Sequence, residues 1–479
     1  MIKIVNKLVK IIDDRRVQNL CLVLEIAISV LVFITLSGGT GVDFDEAFSW
    51  DVVVNNNVRG ILAATAADVH PPLYYLIVKA FFAVFGESIK VMLWASLVPV
   101  IAGMALSAVF IRKRWGFKVA ILFNLVYGFA PFMLYYNLNL RMYSWMDLFV
   151  LGVVLISYEI VCEGTGKAWH FITLFLCSIL AVYTQYFAVL PIVVCYLWLF
   201  IFFIHRKDKA GIISFMAVGA LDVISYIPWL LYGMKNMGVG SGTPHEDYKY
   251  YFNPAEIFNA LFDTNLENGD IMAMILFIVA AAAFVIFIKR FSSNEKSFIV
   301  MLYVNIVFCW FFSQWLGSLN GHFFTPRYVI FCLVFTWLLF AIIFDRTGAW
   351  AFTAFSLWSL ELCFSSYLVE RAWEYDTTPL MSHTMEFIAE NIDQDAVMIY
   401  DFDRDFDIIY RYYMPGHEYV YYEDLNLDDM RGETFWVIKL GGTDFSAEEI
   451  ETYGLKVENY PGMGFMGMER FDFLKVTVE

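Results

Sequence analysis

Charge is what this 479-residue chain has least of: Asp, Glu, Lys and Arg together make up 17% of it. A soluble protein carries roughly a quarter of its residues as charges, so the composition excludes an ordinary water-soluble globule. Cysteine is scarce too. Cys21, Cys162, Cys177, Cys195, Cys309, Cys332 and Cys363 each lie in an apolar run, with no CxxC or metal-type spacing among them. They read as inert packing thiols, which excludes a disulfide framework or a structural zinc site as the organising device. No Walker loop, GxSxG or dinucleotide fingerprint occurs in a suitable context, and no repeat or low-complexity segment stands out.

What is present is apolar. Sixty per cent hydrophobic residues and a mean hydropathy of +0.61 define a polytopic membrane chain. Its 47 Phe and 28 Tyr suit lipid-facing walls and interfacial belts. The net charge of −16 is not spread evenly. From Glu370 onward there are 25 acidic against 8 basic residues, and the remainder is close to neutral. That localised acidity predicts a separate water-exposed domain and argues against nucleic acid as a partner.

Residues 1–16 are polar and basic, and Val17 to Leu36 is an apolar run long enough to cross a roughly 30 Å hydrocarbon core. Residues 72–85 are apolar but short and interrupted by Lys79, which predicts a helix lying along the membrane surface. Full-length runs follow at about 88–111, 119–137, 142–162, 169–186, 187–204, 211–232, 271–288, 297–316, 327–344 and 348–368. With 72–85 on the surface and residue 1 inside, the basic clusters at Arg112-Lys113-Arg114, His205-Arg206-Lys207, Lys289-Arg290 and Arg346 all fall on the cytoplasmic side. The expectation is eleven spans in a plasma membrane, N-terminus in and C-terminus out. The long polar segments, 38–87 and everything after 369 among them, then share the outer face.

The tail reads as alternating elements: a helix at SHTMEFIAENI, a strand at AVMIYDF, a helix at DFDIIYRYYM, a strand at ETFWVIKL, a helix at SAEEIETY and a β-rich end. A small α/β domain is predicted over 370–479, after a membrane domain over 1–369 whose first outer loop is 38–87. The alternating Asp401, Asp403, Asp405 and Asp407 lack the glycine and terminal Glu of a calcium loop and read as solvated surface.

The stretch 41–75 concentrates the chemistry. Asp45 and Glu46 are adjacent carboxylates just outside a membrane, and one of them could act as general base toward an attacking hydroxyl. Asp68 and His70 stand before Pro71-Pro72, which forces His70 into an extended conformation and fixes its entry to the next helix. That position suits an anionic ligand or a metal, with Asp68, His245 and His322 as the other weak metal candidates. Arg141 with Tyr143, and Arg327 with Tyr328, put guanidinium groups at the outer ends of spans against the positive-inside trend, where they can meet a phosphate at headgroup depth. Glu25, Asp147, Asp222 and Glu361 are scattered singly within spans and read as hydrogen-bonding groups between helices.

These motifs form an ordered set: Asp-Glu after the first span, HPPLYY about 24 residues later, FG-S after a short helix, and R-x-Y at a span end. YTQYF at 183–187, YIPW at 226–229 and a late Arg-Tyr complete it. The set resembles the GT-C membrane glycosyltransferases over about residues 17 to 345, and within them the family 39-like protein O-mannosyltransferases and aminoarabinose transferases. The resemblance implies an all-α polytopic GT-C fold of about eleven transmembrane helices, with outer juxtamembrane helices and a small α/β extracytoplasmic domain. It implies a polyprenyl-monophosphate sugar as donor, a protein, lipid or glycan as acceptor, and transfer of a hexosyl or pentosyl group with inversion. Asp45 matches the catalytic acidic residue, with Glu46 beside it. His70 and Arg141 match groups that approach the lipid phosphate, joined by Tyr143 and Arg327. Asp68, Tyr74, Tyr136, Gln185, Tyr186 and Tyr328 complete the substrate-binding candidates. Many relatives read Tyr-Thr-His-Tyr where this chain has Gln185, a poorer metal ligand, so a divalent ion is left open. A transporter or lipid flippase is the rival reading, but transporters place their sites near the midplane, and here the ionisable groups gather at one interface.

Overall fold

The computed structural model describes residues 14–37, 41–68, 70–164, 166–236, 269–320, 326–402, 404–440, 444–465 and 470–479. It resolves into two compact units, Asn57–Val369 with the chain start, and Glu370–Glu479 joined by Leu36–Asn56. The sequence predicts 38–87 as one outer loop of the membrane domain. The structure divides that stretch at residue 56.

The first unit is helical. Its elements are α1 (Arg15–Leu36), then, beyond α2 (Phe44–Val54) of the second unit, α3 (Val58–Ala67), α4 (Leu73–Phe85) and α5 (Ile89–Leu106). After them come α6 (Phe117–Phe129), α7 (Pro131–Leu138), α8 (Tyr143–Glu163), α9 (Ala168–Thr184), α10 (Val189–Arg206) and α11 (Lys209–Asn236). The series ends with α12 (Gly269–Ile286), α13 (Ser293–Asn320), α14 (Phe331–Thr347) and α15 (Ala349–Asn391). Each of the eleven apolar runs is therefore helical. By length and composition, seven helices among the described residues can cross a membrane, and the bent α6–α7 pair makes eight. The other three runs are α9, α12 and α14, of 17, 18 and 17 residues. The chain is a multi-pass membrane protein. On α1, Leu20, Val23, Leu24, Ile28 and Leu31 are exposed, a stripe that costs nothing against lipid.

Pro131 explains the bend. It cannot donate to the preceding turn, so α6 ends at Phe129 and α7 leaves at 59°. Asn137 Nδ2 donates to the Tyr127 and Gly128 carbonyls at 3.1 and 3.3 Å, covering oxygens freed by the break. Within this unit α8 and α14 are buried almost throughout, α8 against α5 and α9, α14 against α6 and α13. Two of the scattered acids link helices as expected: Asn124 Nδ2 donates to Glu25 at 3.0 Å, and Tyr196 O–H to Asp222 at 2.6 Å. Glu361 instead accepts from Ser365 one turn along its own helix. Helix α4 has only 13 residues, about 20 Å at 1.5 Å each, too short to span. Tyr74, Tyr75, Val78 and Phe82 form its buried stripe.

The second unit holds the predicted α/β domain. Five strands, β1 (Val397–Tyr400), β2 (Glu418–Tyr421), β3 (Thr434–Lys439), β4 (Lys456–Met463) and β5 (Phe471–Thr477), form one sheet in the order β2-β1-β3-β5-β4. β1 runs parallel to β2 and β3, with Ile399 opposite Val437, and β5 is antiparallel to β3 and β4. Helices α16 (Asp407–Tyr413) and α17 (Ala447–Tyr453) fall where expected; β2 was not foreseen. Ile399, Phe435, Val437, Leu474 and Val476 make the core of one face. On the other, Phe387 of α15 stacks on Phe473 at 5.6 Å and meets Trp436 edge-on at 5.9 Å. The helix read at SHTMEFIAENI is thus the continuation of α15, which runs unbroken through Pro379. Among the aspartates, Asp401 accepts from the Leu440 N–H at 2.9 Å and Asp407 pairs with Arg411 at 2.8 Å.

Candidate functional site

The carboxylate pair stands at the start of α2. Asp43 is the N-cap, extended at φ −82°, ψ 179°. Its Oδ1 accepts from the Glu46 N–H at 2.8 Å, and Glu46 Oε2 accepts from the Asp43 N–H at 2.9 Å. This is a reciprocal capping box. It assigns the buried Glu46 a structural duty, whereas the half-buried Asp45 has none in the cap. The residue before the cap is clamped by the tail. The Val42 N–H donates to Tyr413 Oη at 2.7 Å, and the Tyr413 O–H donates to the Val42 carbonyl at 3.1 Å. Phe44 stacks on Phe406 at 5.2 Å, and Trp50 meets Tyr412 edge-on at 5.9 Å. These contacts explain why 36–56 belongs with the C-terminal domain. Burial, and then the Glu46 charge, push the Tyr412 phenol up to about 12.

A polar chain lies in the first unit. His70 Nδ1 is 2.9 Å from Asp68 Oδ2, and His70 Nε2 is 3.3 Å from Arg141 Nη2. Arg141 Nη1 donates to Tyr75 Oη at 3.5 Å. One tautomer satisfies both contacts: Nδ1–H donates to the carboxylate and Nε2 accepts from the guanidinium. His70 thus links a carboxylate to a guanidinium. Arg141 is 1% exposed, and a cation buried so deeply needs compensation; Asp68 supplies it through the ring. The arginine sits just before α8, whose start is bolted to α5. Ser144 Oγ donates to the Ser96 carbonyl at 2.5 Å, and Trp145 Nε1 to that of Ala95 at 2.8 Å.

Aromatic rings surround this chain. Tyr328 meets His70 edge-on at 6.2 Å, Phe187 stacks on Tyr328 at 5.5 Å, and the Arg327 guanidinium lies over the Tyr328 ring at 5.9 Å. Arg327 and Arg141 are thereby connected through Tyr328 and His70. Tyr136 and Tyr143 form an edge-on pair at 4.9 Å. Tyr74, a sequence candidate, meets Ser96 Oγ at 3.1 Å, and it is the neighbouring Tyr75 that reaches Arg141. The LYY spelling marks both phenols without distinguishing them. Phe187 was also missed, because an apolar ring beside a span gives no separate signal. Trp229 Nε1 donates to Tyr186 Oη at 3.2 Å.

Gln185 is buried, and its Oε1 accepts from the Phe187 N–H at 3.3 Å, capping the turn Tyr186–Ala188. Among the described residues no three His, Cys, Asp or Glu groups converge as metal ligands. His245 and His322 lie outside the described residues.

No protein-family model matches the sequence, and no curated protein does. Solved structures do. The chain superposes on ArnT from Cupriavidus metallidurans in the apo state with a TM-score of 0.56 at 12% identity, covering 95% of this chain and 97% of that one. With the same enzyme bound to undecaprenyl phosphate the TM-score is 0.58, at the same identity and coverage. The fold is the GT-C membrane fold, matched over nearly the whole of both chains.

Proposed function

We propose that this protein is a membrane glycosyltransferase that moves a sugar from a polyprenyl-monophosphate donor to an acceptor hydroxyl, inverting the anomeric carbon. The observation that carries the reading is the Asp68–His70–Arg141–Tyr75 chain, whose histidine, arginine and tyrosine are buried. A guanidinium held by a relay on a membrane fold has the chemistry to hold a lipid phosphate, and an ArnT structure of this fold was obtained with undecaprenyl phosphate bound. The leaving phosphate needs charge neutralisation more than protonation, which is Arg141's role, with Arg327 as the second cation. Asp45 is the base. It takes the acceptor's proton as the oxygen bonds to the anomeric carbon, the bond from that carbon to the phosphate oxygen breaks, and polyprenyl phosphate leaves with the electron pair. Asp68, Tyr75 and His70 position the arginine. Tyr136, Tyr143, Tyr186 and Tyr328 supply aromatic surface for the sugar and the first isoprene units. The transferred group is a hexose or pentose, the acceptor a glycan, lipid or protein. The reaction faces outward across the plasma membrane, with the N-terminus inside.

The test uses purified protein in lipid nanodiscs, a panel of polyprenyl-phosphate sugars and mass-spectrometric detection of released polyprenyl phosphate. Turnover of at least one donor is expected. Substrate counterflow in vesicles without a covalent product would overturn the reading in favour of transport.

A further inference from the structure

The second unit contains a cavity of about 790 Å³ that the chemistry above does not use. One wall is α2, through Ala47, Trp50, Asp51, Val54 and Asn55. Those positions are i, i+3, i+4, i+7 and i+8, a single helical stripe. Met381 and Met385 of α15 form an apolar floor, and Arg411, Tyr412 and His417 close the far side.

We propose that this cavity binds an uncharged oligosaccharide segment of the acceptor. A pyranose offers an apolar C–H face and a belt of hydroxyls, and the lining is divided the same way. Trp50 and Tyr412, edge-on at 5.9 Å, provide ring surface. Around them stand groups suited to hydroxyls. Asp51 accepts from Asn55 Nδ2 at 2.7 Å and as a carboxylate retains acceptor capacity. Arg411 Nε is committed to Asp407 at 2.8 Å, which neutralises its charge and leaves the outer N–H groups as donors. His417 Nδ1 donates to the Ala396 carbonyl at 3.1 Å, which leaves Nε2 as the ring's other polar atom. The lining's guanidinium, Arg411, is balanced by Asp407, and Asp51 adds a negative charge, which favours a neutral sugar over an acidic one. The lining residues lie on helices and on the loop 415–417 that leads into β2. Asp51 lies six residues beyond Asp45, about 9 Å along the axis, and on a different face. The cavity therefore grips the acceptor at a distance from the bond being made.

The inference rests on the glycosyltransferase reading only in naming this sugar an acceptor. Full-length protein is applied to an array printed with uncharged oligosaccharides, uronic-acid oligosaccharides and unglycosylated peptides, and its binding to polyprenyl phosphate is measured separately. Retention on uncharged oligosaccharides is expected, falling at least tenfold in Trp50→Ala, and also in the milder Asp51→Asn/His417→Gln double variant, which keeps both rings. Both variants should hold polyprenyl phosphate as the unaltered protein does. Retention on peptides alone, no retention, or equal retention by the variants would overturn the proposal. If oligosaccharides are held but no lipid-linked donor is turned over, the cavity stands and the proposed reaction falls.

Discussion

The two regions that carry the proposed chemistry are built by opposite means. Around Asp45 the backbone is fixed from outside: Tyr413 clamps Val42, Phe406 stacks on Phe44, and Glu46 closes the cap. Around Arg141 the side chain is fixed from inside, by the buried His70 and Tyr75, with the half-buried Asp68 behind the ring. The difference follows from dielectric. A carboxylate acting as base must keep some contact with solvent and with the acceptor, so its helix is held and its side chain left half-buried. A guanidinium meant for a phosphate gains strength from burial, and burial demands a compensating acid.

Removing the base separates the two regions most sharply. Asp45→Asn keeps the size and helix position but cannot take a proton, and transfer should fall about 10²–10⁴-fold. Membrane insertion and affinity for polyprenyl phosphate should be unchanged; a variant with near-normal turnover would remove Asp45 from the chemistry. The corresponding cut at the other region is Arg141→Ala. It should weaken donor binding by about 10²-fold, on the order of 3 kcal/mol, through the lost charge-assisted contact to the phosphate. Arg141→Lys should recover little, because an ammonium cannot serve His70, Tyr75 and a phosphate with one planar fork. Measuring donor affinity apart from turnover checks both.

A smaller effect is expected one step back along the relay. Asp68→Asn still accepts from His70 Nδ1–H but no longer balances the buried guanidinium. Donor affinity should drop about tenfold, as for other groups that orient a ligand-binding side chain. A fall as deep as that of Arg141→Ala would mean that Asp68 itself meets the substrate.

How much of this could be read from the chain depends on the range of each contact. The eleven apolar runs, the surface helix at 72–85 and the tail's alternation follow from local pattern, and all are helical or β where expected. Asp68, His70 and Arg141 were legible as a group because charges beside membrane stretches are conspicuous. Tyr75 was not, since its selection over Tyr74 depends on Ser96 lying opposite one and Arg141 opposite the other. The attachment of 36–56 to the tail was hidden for the same reason: Val42 and Tyr413 are 371 residues apart. The short α9, α12 and α14 show the reverse limit, since hydropathy marks an apolar helix without fixing how deeply it crosses.

The finest distinction lies between Asp45 and its neighbour, and it calls for the smallest change. Glu46 sits at N3 of the capping box, where Gln can reach back to the N-cap N–H as Glu does. Glu46→Gln should therefore retain stability and leave turnover within about twofold, removing a charge while keeping the bond. Glu46→Ala should destabilise the start of α2 by about 1 kcal/mol, the usual cost of a lost cap. Transfer would then fall only as far as Asp45 is displaced, and hydrogen exchange at the Asp43–Ala47 amides should report the fraying directly. If Glu46→Gln instead behaved like Asp45→Asn, with normal exchange and no transfer, the cap would be a by-product and both carboxylates would act on the acceptor.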